Sequence, residues 1–210
     1  MKRRILSFAL ALAAALCFAL PAAAGWEPPA GAVNAEAVYL YNLDTDTVVY
    51  EKNAHEVRAA ASLTKMMTAL LLAESGADLA QSYTIPESLA AEFDRIQAEN
   101  GSDADLKIGE TVTLESLLYA CLLPSGNDAA SAIARYLGGG DLQAFFDRMN
   151  QRAAELGCEN TNFVCAHGLY GLEYGNHTTA YDMFLIARAF RENETLMEVA
   201  CQTGYWMPLT

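Results

Sequence analysis

The sequence predicts an α+β protein, on three observations. Two short stretches rich in Val, Tyr and Leu, residues 37–43 and 47–51, flank the turn-forming Asp44-Thr45-Asp46 and read as a β-hairpin. A long middle of helical stretches with recognisable caps follows, and strands followed by helices mark a segregated α+β architecture. The composition, 53% apolar against 19% charged over 210 residues, suffices for a buried core and excludes a disordered chain.

Residues 1–24 have the build of a secretory signal: Lys2, Arg3 and Arg4, an apolar run over 5–20, then Pro21 and Ala22-Ala23-Ala24, with cleavage expected after Ala24. The run is shorter than the ~20 residues a membrane-spanning helix needs, so an exported protein is expected. Residues 25–34, with Pro28 and Pro29, read as a linker ahead of the hairpin. Beyond the hairpin, 62–74 is apolar except at Ser62, Thr64, Lys65 and Thr68, the pattern of a helix buried on most of its surface. Thr84, Ile85 and Pro86 close a short extended piece, and 87–105 is polar and left unassigned. Helices are expected at 113–122 behind a Thr113 cap, at 125–137 from Ser125 to the stop at Gly138-Gly139-Gly140, at 141–156 between Asp141 and Gly157, and at 179–191 behind a Thr179 and Asp182 pair. Between the last two, 158–178 is loop-rich and contains Gly168, Gly171, Gly175, His167 and His177.

A formal charge of −13 offers no footprint for a phosphate backbone and repels anionic lipid, which excludes nucleic acid as a partner. Beyond the signal there are four cysteines, Cys121, Cys158, Cys165 and Cys201. An oxidising compartment permits disulfides among them in three pairings, none of which the sequence selects, and buried thiols are the alternative. Cys158, Cys165 and His167 do not have zinc spacing, so no metal is expected.

Ser62 and Lys65 stand three apart at the start of the buried helix, where such residues are neighbours about 5–6 Å between Cβ atoms. Desolvation and the positive helix end both favour the neutral amine, which can take the Ser62 proton as the hydroxyl attacks a carbonyl. Backbone N–H groups at the helix start can face the oxyanion. The plain alternative is a capping serine and a lysine reaching water. Ser125-Gly126-Asn127, at the junction of two helices, supplies a second hydroxyl to relay a proton and an amide to hold a peptide bond. Its plain alternative is a capping box from Ser125 to Asp128. His167 and His177 are expected to shape the 158–178 loop, His55 to face solvent, and Tyr170, Tyr174 and Tyr181 to pack.

Ser62-Leu63-Thr64-Lys65 and Ser125-Gly126-Asn127 resemble the SxxK and SxN boxes of penicillin-binding proteins and serine β-lactamases. The flanking Ala60-Ala61 and Met66-Met67-Thr68, with Pro124, Asp128-Ala129-Ala130, Met149-Asn150, Leu156-Gly157, Thr161-Asn162-Phe163, His167-Gly168-Leu169 and Thr179-Ala180-Tyr181-Asp182, are similar to the low-molecular-mass D-alanyl-D-alanine carboxypeptidases. The resemblance covers about 35–210. It implies a β-lactamase/DD-peptidase-like fold, an antiparallel sheet flanked by helices with a helical subdomain, and a catalytic domain over 35–210. It also implies hydrolysis of the terminal D-Ala-D-Ala bond of peptidoglycan stem pentapeptides through an acyl-enzyme on Ser62. Lys65 and Ser125 would be catalytic and Asn127 substrate-binding, with no cofactor and with β-lactam antibiotics as covalent inhibitors.

The family's third box, KTG, is absent. Gln202-Thr203-Gly204 is the nearest string and lacks the lysine. The resemblance therefore implies a chain truncated before that box, without the C-terminal sheet strands that would cover Val38, Leu40 and Val48, and with any membrane anchor further on. Two other readings stand beside the peptidase. A class A-like β-lactamase is disfavoured by Gly126 where that class usually has Asp, and by the lack of a Glu-x-x-Leu-Asn stretch. A non-catalytic wall-binding remnant would have kept the fold and lost the last box.

Overall fold

The computed structural model describes residues 26–29, 31–171, 173 and 175–208; the expected signal over 1–24 and Tyr174 lie outside them. The described residues divide into two compact units, one holding Leu40–Glu51 with those before Glu36, the other Glu36–Tyr39 with those from Lys52 on.

The expected hairpin forms, with β1 (Val38–Asn42) paired to β2 (Thr47–Lys52). Asn42 rather than an Asp organises its turn: the side-chain oxygen accepts from the Asp44 and Thr45 amides at 2.9 and 3.1 Å, and Asp46 takes a positive φ of 53°. Leu40 and Val48 are 45% and 44% exposed.

The second unit is built around α1 (Thr64–Glu74), on which Thr64, Lys65 and every residue from 67 to 72 are buried. It is wrapped by α3 (Leu114–Leu122), α4 (Asn127–Leu137), α5 (Leu142–Glu155), α6 (Ala180–Glu192) and α7 (Glu194–Ala200). The expected caps on three of these are in place. Thr113, Asp141 and Thr179 side chains accept from the Ser116, Gln143 and Asp182 amides. Ser125 is not a cap. Helix α4 starts two residues later, with Gly126 as its unassisted N-cap, and Asp128 turns its carboxylate to other amides.

Three further pieces complete the unit, of which only the extended stretch closed by 84–86 had a signal in the sequence. The polar stretch 87–105 contains a 3-10 turn, Glu87–Leu89, and α2 (Ala90–Ala98), which anchors itself through buried Leu89, Phe93 and Ile96 at helical spacing. β4 (Ser82–Thr84) pairs antiparallel with β5 (Thr111–Thr113), Tyr83 opposite Val112. β3 (Arg58–Ala59) pairs antiparallel with β6 (His177–Thr178), so His177 belongs to a strand and not to a loop. Ladders of two or three residues are too short to leave an alternation in sequence. His55 is exposed and its ring lies 4.9 Å from that of Tyr181, which also meets Tyr39 edge-on. Cys121, Cys158 and Cys165 are buried thiols and Cys201 is an exposed one.

The loop 164–168 is stitched to the first turns of α1. Thr68 Oγ1 donates to the Ala166 carbonyl at 2.7 Å, and fully buried Asn176 spans both sides. Its Nδ2 donates to Thr64 Oγ1 and the Cys165 carbonyl, and its Oδ1 accepts from the Val164 and Cys165 amides. Gly168, at φ 80°, comes so close that a Cβ there would lie 1.9 Å from the Ala61 oxygen. Gly168→Ala adds overpacking of about 1–3 kcal/mol to a left-handed penalty of about 1–2 kcal/mol. A urea midpoint lowered by the equivalent of at least about 2 kcal/mol is expected, and an unchanged midpoint would contradict the close approach.

Candidate active site

Ser62 occupies a 3-10 turn, Ala61–Leu63, that runs directly into α1, and its side chain caps nothing. Ala61 before it has a φ of 45°, a left-handed conformation that costs a non-glycine residue about 1–2 kcal/mol. The surroundings hold it: Ala60 N–H donates to the Asn176 carbonyl at 3.0 Å, and Gly168 backs onto Ala61. Ser62 is thereby left exposed above a buried helix start.

Lys65, 2% exposed, does not reach for water. Its Nζ lies 3.3 Å from Ser62 Oγ and donates to the His167 carbonyl at 3.1 Å. Burial pushes its pKa below the ordinary lysine value, and the negative field of groups including Asp128 only partly offsets this. A neutral amine held on one side by a carbonyl can turn its lone pair to Ser62, and 3.3 Å suits either position of the shared proton in an unliganded site.

Ser125 Oγ donates to Ser62 Oγ at 3.1 Å, which closes a chain of Lys65, Ser62 and Ser125 across helices far apart in sequence. Ser125 also sits at a positive φ, 61°. The turn is fastened from both ends, by Gly126 N–H to the Ala120 carbonyl at 3.0 Å and Asn127 N–H to the Ser102 carbonyl at 2.9 Å. Gly126 admits no side chain, since a Cβ would lie 2.7 Å from Ala120 O and 2.8 Å from Asp128 Oδ1. Asn127 is buried at the head of α4, its amide nitrogen 2.6 Å from where a Gly101 Cβ would be.

The sequence reasoning missed the supports. Asp128, read there as a capping partner, instead accepts from the Ala104, Leu106 and Ala129 amides and pins the 104–106 segment against α4; burial raises its carboxyl pKa against those hydrogen bonds. Asn176 carries no motif, and although His167 stands in the family-like His167-Gly168-Leu169, the carbonyl that receives Lys65 is marked by no side chain. Gln202-Thr203-Gly204 is irregular tail, where Thr203 and Gly204 line a cavity of about 550 Å³ with Tyr119, Pro124 and Tyr205.

A buried lysine beside an exposed serine hydroxyl, with a second serine within hydrogen-bond reach on an α+β frame, is the arrangement that serine acyl transfer requires. A family model for D-alanyl-D-alanine carboxypeptidases matches residues 23–203, and the chain belongs to that family. It is 35% identical over 200 residues to the D-alanyl-D-alanine carboxypeptidase of Streptomyces sp. (strain K15), covering 92% of this chain and 66% of that one. It is 34% identical over 162 residues to D-alanyl-D-alanine carboxypeptidase DacF of Bacillus subtilis (strain 168), covering 77% and 40%. Among solved structures, a variant of the Streptomyces K15 DD-transpeptidase matches with a TM-score of 0.73 at 35% identity, over 82% of this chain and 66% of that one. The carboxypeptidase DacD from Francisella tularensis matches at 0.72 and 33% identity, over 86% and 43%. The chain thus spans 40% to 66% of the length of these relatives.

Followed by the 13C shift of lysine Cε, Lys65 should titrate below the ordinary 10.5, with the signal assigned by its loss in Lys65→Met. Between the folded and unfolded pKa values the folded protein holds fewer protons, so Lys65 makes stability rise with pH across that window. Lys65→Met should flatten the rise, and an inflection at or above 10.5 would mean the amine is not desolvated.

Proposed function

We propose that the protein hydrolyses the terminal D-Ala-D-Ala bond of peptidoglycan stem pentapeptides, as a serine-type carboxypeptidase acting through an acyl-enzyme on Ser62. The observation that carries this reading is the Ser62 hydroxyl held 3.3 Å from a buried amine and 3.1 Å from a second hydroxyl. The named activity of the relatives supports the substrate class.

Neutral Lys65 takes the Ser62 proton as Oγ bonds to the carbonyl carbon of the penultimate D-Ala. Backbone N–H groups at the helix start donate to the oxyanion. As the C–N bond breaks, the proton passes through Ser125 to the departing D-Ala nitrogen, which explains why Ser125 Oγ points at Ser62 and not at its own helix. Water then attacks the ester, with Lys65 again the base, and the acid product leaves. Asn127 binds the substrate peptide bond through its amide. A β-lactam ring is opened by the same attack and leaves a slow ester, so penicillins are covalent inhibitors. The basic, apolar and small-residue succession of 1–24 supports export to the cell envelope, where this substrate is found.

Incubated with a fluorescent penicillin, the protein should carry a covalent adduct that maps to Ser62, and Ser62→Ala should abolish it. An adduct retained by that variant would remove Ser62 from the role.

Lys65→Arg keeps the charge but presents a guanidinium that cannot accept a proton at working pH. Its acylation rate should fall by well over tenfold, a barrier increase above about 1.4 kcal/mol. Ser125→Ala should slow acylation by roughly 10²–10⁴, the range of a proton-transfer group. Rates within tenfold of the parent for both variants would point to a different proton path.

A further inference from the structure

The Lys65 amine is held by a carbonyl that belongs to an unusual residue. His167 is 1% exposed and its ring is hydrogen-bonded at both nitrogens. Leu169 N–H donates to Nδ1 at 3.1 Å, and Nε2 lies 3.0 Å from Glu92 Oε1. A backbone N–H can only donate, so Nδ1 presents its lone pair and the neutral ring carries its proton on Nε2, which donates to Glu92. The ring therefore ties its own turn, 167–169, to α2, and the carbonyl of that turn receives Lys65 Nζ.

We propose that Glu92 is a positioning residue for Lys65: by fixing the tautomer and orientation of His167 it locks the 167–169 turn, and with it the carbonyl that holds the amine beside Ser62. This rests on Lys65 being the base of the reaction proposed above. The groups that face His167 from the surrounding elements are few. They are Glu92 and its ion-pair partner Arg95 on α2, Cys165 and Tyr170 on the same loop, and Lys65 on α1 at the carbonyl. Arg95 also reaches the Tyr170 hydroxyl at 3.4 Å, so α2 grips the loop twice.

The electrostatics agree with a coupled pair. The hydrogen bond from His167 holds Glu92 below the usual carboxylate range. Burial pulls His167 down, but Cys165 and Glu92 outweigh it and leave the imidazole above its ordinary range.

The variants Glu92→Gln and Glu92→Ala separate orientation from charge, because the amide oxygen of Gln can still accept from Nε2–H. Three readouts are followed: the ring 15N shifts of His167, the 13Cε titration of Lys65, and the rate of penicillin acylation. The parent should show the Nε2-protonated tautomer. Glu92→Ala should slow acylation by tenfold or more and move the Lys65 inflection up toward 10.5. Glu92→Gln should recover most of the rate, with His167 titrating at lower pH than in the parent.

An Nδ1-protonated ring, a Lys65 inflection and rate unchanged in Glu92→Ala, or a Gln variant that rescues neither, would overturn the role. Should Glu92→Ala fail to fold, the Gln variant decides alone: His167 must titrate lower with Lys65 unmoved, and an unchanged His167 titration counts against the pair. A parent that takes no penicillin would sink the proposed function, while the two titrations still decide whether Glu92 positions Lys65.

Discussion

Burying the Lys65 amine beside Ser62 requires an acceptor for an N–H that has left water, and the His167 carbonyl at 3.1 Å supplies it from 102 residues away in sequence. Much else in the second unit follows from that contact. The loop carrying His167 has to lie flat on the first turns of α1, which is why Thr64 and Thr68, polar residues on a mostly apolar helix, turn inward to meet it. Asn176 completes the seam with both ends of one side chain. An amide suits this position because it donates twice from one atom and accepts twice at another, which a single hydroxyl cannot do.

Two residues at the site, Ala61 and Ser125, sit in a left-handed conformation that neither prefers. Each flanks or bears a hydroxyl that must stand off its helix and face the other. A regular helix start would have drawn Ser62 or Ser125 into capping, where the hydroxyl is spent on a backbone amide. The strained turns instead release both hydroxyls, and the strain is borne by backbone contacts from elsewhere in the chain: Asn176 and Gly168 behind Ala61, Ala120 and Ser102 beside the Ser125 turn. Helix α4 accordingly begins without a side-chain cap, and its acidic first-turn residue, Asp128, is used to hold the 104–106 segment.

Helix α2 shows how a polar stretch acquires a role. Its apolar residues are just sufficient to dock it, through Leu89 in the preceding turn, Phe93 and Ile96. Glu92 and Arg95 are then carried to the loop that holds Lys65. In a chain of net charge −13, few cations compete for Glu92, and the buried imidazole becomes its principal partner.

By itself the sequence determined the hairpin, the buried character of the helix bearing Lys65, four further helices close to their observed bounds, and the pairing of Ser62 with Lys65. All of these rest on periods and caps that act within a few residues. The tertiary structure decided the rest. Ser125 reaches Ser62, His167 receives Lys65, and Glu92 meets His167 across 63, 102 and 75 residues respectively. Only the folded chain could reveal that Ser125 and Asp128 decline the capping box their spacing suggests, or that His167 acts through its carbonyl as well as its ring. A carbonyl has no letter in the sequence, and a conformation forced by distant contacts overrides the local preference of the residue that adopts it.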